Sequence, residues 1–294
     1  MSSFKSFDPY YRRLDWSPTF RCSYSCPYCF IRDSFPKKNK ELVSLYGHKK
    51  VADKISCLFA NHVKYIEISG GEPFILKSMS EIINILSSSF LLGLNTNMSI
   101  TSLASLRNVA PSSLHRINCS YHLTEIGGIS ESTFKDCFVD LIEQGYPVRV
   151  ICVAYPPMFD EIFEVFRSFH SSELPAEFRP YRGTHEGRIY PYEYPQEHKN
   201  ILCKYNQDRW CVEMLLASKP VSYQGIKCNA GKYSYYLDPE GKLYRCITDA
   251  SVNKNQHIGN ISSMSILPRE SNMCGHEHCL CPYHGNLYTN GITV

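Results

Sequence analysis

Arg21-Cys22-Ser23-Tyr24-Ser25-Cys26-Pro27-Tyr28-Cys29-Phe30 sets three cysteines at the spacing C-x3-C-x2-C. Three thiolates within eight residues can wrap one face of a cubic [4Fe–4S] cluster and leave the fourth iron without a protein ligand. A catalytic metal centre requires such an open position, whereas a structural zinc site is closed by four ligands. The nearest histidine, His48, lies well beyond the segment, so zinc is the poorer match. Pro27 fixes one backbone dihedral and stiffens the stretch.

Outward from the triplet, short apolar runs alternate with longer amphipathic segments. Strands are expected at Asp15–Phe20, Tyr65–Ser69, Leu91–Thr96, Arg116–Tyr121, Val148–Val153 and Glu177–Tyr181. Helices are expected between them at Lys40–Asn61, Lys77–Ser88, Ser102–Val109, Ser132–Gln144 and Met158–Phe169. This alternation implies an α/β fold with a parallel sheet wrapped by helices. Six units suit an open, partial (β/α)6 barrel better than a closed barrel of eight. Right-handed crossovers then put the loops after the strands, and with them the cysteine triplet, on one rim.

The pattern changes near Thr184. Arg188–Pro195 is rich in Tyr and Pro, and Glu197–Leu216 reads as one or two helices. Tyr233–Leu237 and Lys242–Cys246 flank Asp238–Gly241 as a hairpin with a Pro-Glu-Gly turn. The expected organisation is a barrel over 1–183, a helical linker over 184–227 and a small cysteine-bearing domain over 228–294. The 14 cysteines are the unusual feature of the composition; 43% hydrophobic and 20% charged residues are ordinary for a globular chain. Met1 to Asp15 lacks an apolar export core, and no run approaches a membrane span. A cytoplasmic location is expected, where clustered thiols stay reduced and bind metal more often than they pair. A net charge of +3 gives no strong pull toward nucleic acid or an anionic membrane. The basic runs at Arg12–Arg13, Lys37–Lys38 and Lys49–Lys50 read as solvated surface.

The triplet, with aromatic Tyr28 before its third cysteine, is similar to the signature of the radical S-adenosylmethionine (SAM) superfamily. Ile66-Glu67-Ile68-Ser69-Gly70-Gly71-Glu72-Pro73 closes the second expected strand and resembles that family's GGEP motif. Two glycines admit close backbone approach to a ligand, and Glu72 with Pro73 ends the strand in a fixed turn. The resemblance covers about residues 16 to 181. It implies SAM as cofactor, with the GGEP segment (Gly70, Gly71, Glu72, Pro73) at its methionine amino group. It also implies contacts from Tyr28, from Asn95-Thr96-Asn97 at the end of the third strand, and from Ser120-Tyr121-His122 at the end of the fourth. Arg149 in the fifth strand is a candidate for the SAM carboxylate. The strand-end residues are as readily read as polar groups that satisfy loop amides, and Arg149 as a solvated arginine.

Cys228, Gly241 and Cys246 give C-x12-G-x4-C across the hairpin, followed by Cys274, Cys279 and Cys281. This is similar to the start of the Twitch and SPASM extensions of radical SAM enzymes, and five cysteines imply one auxiliary [4Fe–4S] cluster. The preferred ligands are Cys228, Cys246, Cys279 and Cys281, with Cys274 as substitute or free thiol. A zinc site using His276, His278 or His284 is the alternative. Cys57, Cys119, Cys137 and Cys152 read as buried thiols, and Cys203 and Cys211 as linker thiols for which a hydrogen-donor role is conceivable.

The resemblance implies reductive cleavage of SAM with an electron from a donor such as flavodoxin or ferredoxin, then hydrogen abstraction from a substrate. The first cysteine comes at position 22, and the tail is short. Both favour a small-molecule substrate, a sugar, cyclitol or polyol, oxidised or epimerised. Arg179, Tyr181 and Arg182 are candidates for binding it. A peptide-modifying maturase is the second expectation, and a non-catalytic protein with structural metal the third.

Overall fold

Alternation along each strand separates an apolar face from a polar one, and this governs the architecture. The structure, a computed structural model, describes residues 12–35, 40–125, 130–206, 209–220, 222–252, 256–267 and 272–279. Six parallel strands, β1 (Arg13–Trp16), β2 (Tyr65–Ile68), β3 (Leu91–Thr96), β4 (Arg116–Tyr121), β5 (Val148–Ala154) and β6 (Ala176–Pro180), lie side by side in chain order. The connections carry α1 (Phe30–Ser34), α2 (Leu42–Tyr46), α3 (His48–Phe59), α4 (Met79–Leu86), α5 (Ile100–Leu106), α6 (Glu131–Glu143) and α7 (Phe159–His170). One face of the sheet, with Leu14, Ile66, Leu92, Ile117, Val150 and Phe178, packs against the buried side chains of these helices. The result is the partial (β/α)6 barrel.

Strand β1 begins two residues earlier than expected and ends four earlier. Its inner face carries Arg13 and Asp15, which do not read as strand residues, and Pro18 has no N–H with which to continue a ladder. The expected helix over 40–61 is split at Gly47, whose φ of +81° ends α2 before α3 starts.

Beyond β6, a hairpin of β7 (Gly183–His185) and β8 (Arg188–Tyr190) turns at Glu186 and Gly187, both with positive φ. Helices α8 (Gln196–Tyr205) and α9 (Arg209–Leu216) follow. Buried Cys211 and half-buried Cys203 on them belong to the apolar core. The remaining elements are β9 (Lys227–Cys228), β10 (Ser234–Leu237), β11 (Lys242–Tyr244), α10 (Ile247–Val252), β12 (Gly259–Asn260) and β13 (Asn272–Met273). The expected hairpin is β10–β11, where Asp238 Oδ1 accepts from the amides of Glu240 (2.9 Å) and Lys242 (2.8 Å). Strand β10 pairs parallel with β1, so one nine-stranded sheet runs β12-β11-β10-β1-β2-β3-β4-β5-β6. No helix among the described residues is long and apolar enough to cross a membrane.

Candidate functional site

The cysteine loop leaves β1 at the C-terminal rim and is tied locally. Cys29 N–H donates to Cys26 O (3.1 Å), and α1 starts immediately after Cys29. Arg32 of α1 reaches back to the carbonyls of Cys26 (3.0 Å) and Pro27 (2.8 Å). Cys22 is exposed, Cys26 buried and Cys29 half-buried. Their sulfurs are close enough that charge on one disfavours charge on the next. Burial, then Glu125 and the neighbouring thiols, push Cys26 up to about 12.

The end of β2 grips the loop's entrance. Gly71 N–H donates to Thr19 O (2.9 Å) and Glu72 N–H to Arg21 O (2.8 Å). A Cβ on Gly71 would lie 1.9 Å from Arg21 O, and one on Gly70 would lie 2.5 Å from Thr19 O. Protein backbone therefore fills the space that the absent side chains leave. Glu72 is buried, and its carboxylate accepts from the amides of Asn97 (2.7 Å) and Phe74 (3.2 Å) and from Thr96 Oγ1 (3.1 Å). Pro73 opens a short 3-10 turn over Pro73–Ile75. Asn97 completes the clamp, with Nδ2 3.0 Å from Ser23 Oγ and 3.7 Å from Cys22 Sγ. Loop, β2 and β3 are thus joined around one buried carboxylate.

The sheet's other face is polar. Arg116 and Asn95 donate to Glu67 (2.8 and 2.7 Å), and Asn118 donates to Asn95 Oδ1 (2.8 Å). Arg149 donates to Asn118 Oδ1 (2.7 Å) and pairs with Glu177 (2.7 Å), which also holds Arg179 (2.6 Å). Burial alone would raise the Glu67 carboxyl, but the Arg116 and Arg13 guanidiniums and the Tyr65 hydroxyl overcome it and hold it at about 2. Gly93, opposite Glu67 on β3, makes room for this group, since a Cβ there would lie 1.8 Å from Tyr65 Oη.

An aromatic band crosses the rim. Tyr28 Oη lies 3.0 Å from His122 Nδ1, and Tyr28 also meets Tyr155 (ring centres 5.0 Å apart). Tyr155 in turn meets Tyr181 (5.5 Å) and His185 (5.4 Å). Burial lowers His122 to about 4, so its ring is neutral at pH 7.

A second group of cysteines lies beyond the hairpin. Cys228 is at the end of β9, Cys246 precedes α10, and the β9–β13 pair brings Cys274 beside Cys228. Cys246, Cys274 and Cys279 pack against Cys228 and Ala230. His276 Nε2 is 2.6 Å from Asp249 Oδ1, and Asp249 N–H donates to Cys246 Sγ (3.4 Å). Cys281 and His284 lie outside the described residues. Among the described residues, no three His, Cys, Asp or Glu side chains are arranged to hold a single metal ion.

No protein-family model and no curated protein matches the chain. Solved structures do match. The radical SAM enzyme anSMEcpe with bound AdoMet superposes with a TM-score of 0.62 at 15% identity, covering 86% of this chain and 78% of that one. Streptococcus suis SuiB bound to S-adenosylmethionine gives 0.62 at 14% identity, covering 88% of this chain. The match spans 65% of SuiB, under two thirds of its length. SuiB bound to its precursor peptide SuiA gives 0.60 at 14% identity, with 88% and 64% covered. The chain has the radical SAM fold.

Within that fold, the structure brings Cys22, Cys26, Cys29, Gly70, Gly71, Glu72, Pro73 and Asn97 together at the ends of β1, β2 and β3. Asn95 and Arg149 lie one layer deeper, engaged with Glu67, Asn118 and Glu177. Ser120 stands on the same face of β4 as Asn118, one pleat nearer the rim. Cys274 groups with Cys228, Cys246 and Cys279. Tyr24 and Tyr155 are not singled out in the sequence; His122 is, as the last residue of the Ser120-Tyr121-His122 strand end, though without its link to Tyr28.

Proposed function

We propose that the chain is a radical SAM enzyme that starts its reaction by reductive cleavage of SAM. The single observation that carries this reading is the three-cysteine loop clamped by Gly71, Glu72 and Asn97 at the mouth of a radical SAM fold. Cys22, Cys26 and Cys29 would hold a [4Fe–4S] cluster. Bound there with one iron open, such a cluster supplies the electron that splits SAM into methionine and a 5′-deoxyadenosyl radical, which then takes a hydrogen atom from substrate. The residues of the chain have separate tasks. Glu72, Thr96 and Asn97 lock the strand ends, which fixes the loop against SAM. The Gly70–Pro73 backbone, Ser120 and Tyr28 would contact SAM when it is bound. Cys228, Cys246, Cys274 and Cys279 would hold an auxiliary [4Fe–4S] cluster, supported by their common packing.

For the substrate we propose a small polar molecule, oxidised or epimerised. The supporting observation is the polar inner face, on which the side chains of Arg149, Glu177 and Arg179 are 24–35% exposed. A peptide is the second reading, favoured by the peptide complexes of anSMEcpe and SuiB. An electron donor of the flavodoxin or ferredoxin class completes the scheme.

Anaerobic reconstitution followed by dithionite and SAM tests the central reading. It should give about eight irons per chain and release 5′-deoxyadenosine. Zinc in place of iron, or undiminished 5′-deoxyadenosine from Cys26→Ala, would end it.

A further inference from the structure

Both tyrosines inside the cysteine loop turn to one side chain on the opposite wall. Tyr24, between the first and second cysteines, meets the His122 ring edge-on at 5.9 Å and 86°. Tyr28, between the second and third, lies against the same ring at 5.9 Å and 29°, with its hydroxyl 3.0 Å from Nδ1. His122 is the first residue after β4, 94 positions from Tyr28 along the chain.

The clamp through Gly71, Glu72 and Asn97 secures the loop only on its β2–β3 side and near Cys22. On the β4–β5 side the loop is tied by ring contacts and by the hydrogen bond between Tyr28 Oη and His122 Nδ1, which is directional. A ring held by stacking alone can slide and tilt, whereas a hydrogen bond at its tip fixes direction as well as distance. Cys29 adjoins Tyr28, so the direction of that ring sets the arm of the third thiol. A site of this kind needs its ligands held to within about 0.5 Å.

We infer that His122 is a positioning residue for the cysteine tripod. It acts through Tyr28, anchoring the loop to β4 as Glu72 anchors it to β2 and β3. The inference rests on the radical SAM reading only for its consequence at SAM; the anchoring itself is a property of the metal-free chain.

A double-mutant cycle on the full chain tests it, with Tyr28→Phe, His122→Phe, the double variant and His122→Gln. The first readout is chymotryptic cleavage of the metal-free chain at Tyr24 and the loop's aromatic residues, which follows local opening. Each single variant should speed cleavage by roughly two- to tenfold, as expected for loss of one hydrogen bond. The double variant should go no faster than either single, and His122→Gln, which restores a hydrogen-bonding partner, should return toward wild type. The second readout is the electron paramagnetic resonance signal of the reduced, reconstituted protein titrated with SAM. The same cycle should appear there as a two- to tenfold weaker SAM affinity with iron content unchanged.

Wild-type loop protection in His122→Phe, or effects of the two single variants that multiply, would overturn the inference. If the wild-type protein binds no SAM, the proposed function fails instead, and the cleavage cycle alone still decides whether His122 anchors the loop.

Discussion

Replacing Gly71 with Ala tests the join between the GGEP segment and the cysteine loop. The new Cβ would sit 1.9 Å from Arg21 O, 2.6 Å from Arg21 C and 2.8 Å from Phe20 C, all backbone atoms. Ordinary contact begins near 3.4 Å, so the two chains must separate by about 1.5 Å. The hydrogen bonds spanning this gap, 2.9 Å at Thr19 O and 2.8 Å at Arg21 O, would then stretch beyond 4 Å, outside bonding range. Losing two backbone bonds at ~0.5–1.5 kcal/mol each, with partly buried groups left unmet, predicts a loss of ~2–4 kcal/mol. For a chain of this size that lowers Tm by about 3–6 °C. Arg21 adjoins Cys22, so iron uptake at the first site should fall as well. Gly275→Ala, where a Cβ meets nothing within 4 Å, is the control and should melt like the parent. Thermal unfolding by circular dichroism and iron analysis after anaerobic reconstitution read both effects. A Gly71→Ala protein that melts within 1–2 °C of wild type and loads iron normally would refute the steric reasoning.

Three further outcomes are expected. Glu67, held at about 2 against a usual value near 4.5, stabilises the folded chain fully above pH ~4.5 and loses that contribution as pH falls toward 2, some ~3 kcal/mol in all; urea unfolding across pH 2–6 should show this slope, and Glu67→Gln should flatten it. Cys274→Ser should remove about four irons per chain while leaving SAM cleavage at the first site measurable; iron analysis showing full loading would exclude Cys274 as a ligand. Gly93→Ala drives a methyl group into the buried Tyr65–Glu67 pair and should cost ~1–3 kcal/mol by chemical denaturation; a neutral effect would mean the pair can move.

Strands β3 and β4 coincide with their expected bounds because Leu92 and Leu94, and Ile117, Cys119 and Tyr121, recur at a period of two on one face. Strand β1 was shifted because an inner face bearing Arg13 and Asp15 breaks the apolar signal. The cysteine loop and the glycine pair were legible because their spacing is local. The reason for the glycines was not: on the Cβ side, a neighbouring backbone occupies the space read as room for a ligand. Cys274 reaches the other cysteines through β9 and β13, two-residue strands that no periodicity can announce. His122 was legible as the end of the fourth strand, but its contact with Tyr28 was not, since the two stand 94 residues apart and only the folded sheet brings them within reach.

The pairing of β10 with β1 makes β1 an interior strand, with β2 on its other side. Ser17, five residues before Cys22, is held from that flank, its amide by Leu237 O (2.9 Å) and its hydroxyl by Tyr236 Oη (3.0 Å). A chain cut at residue 227 would do more than discard five thiols. It would strip a row of hydrogen-bonding groups from the strand that launches the cysteine loop, leaving an adhesive border open to other chains. Shortening the protein from this end is therefore expected to yield aggregates, and a graft of a foreign tail would have to supply a matching strand.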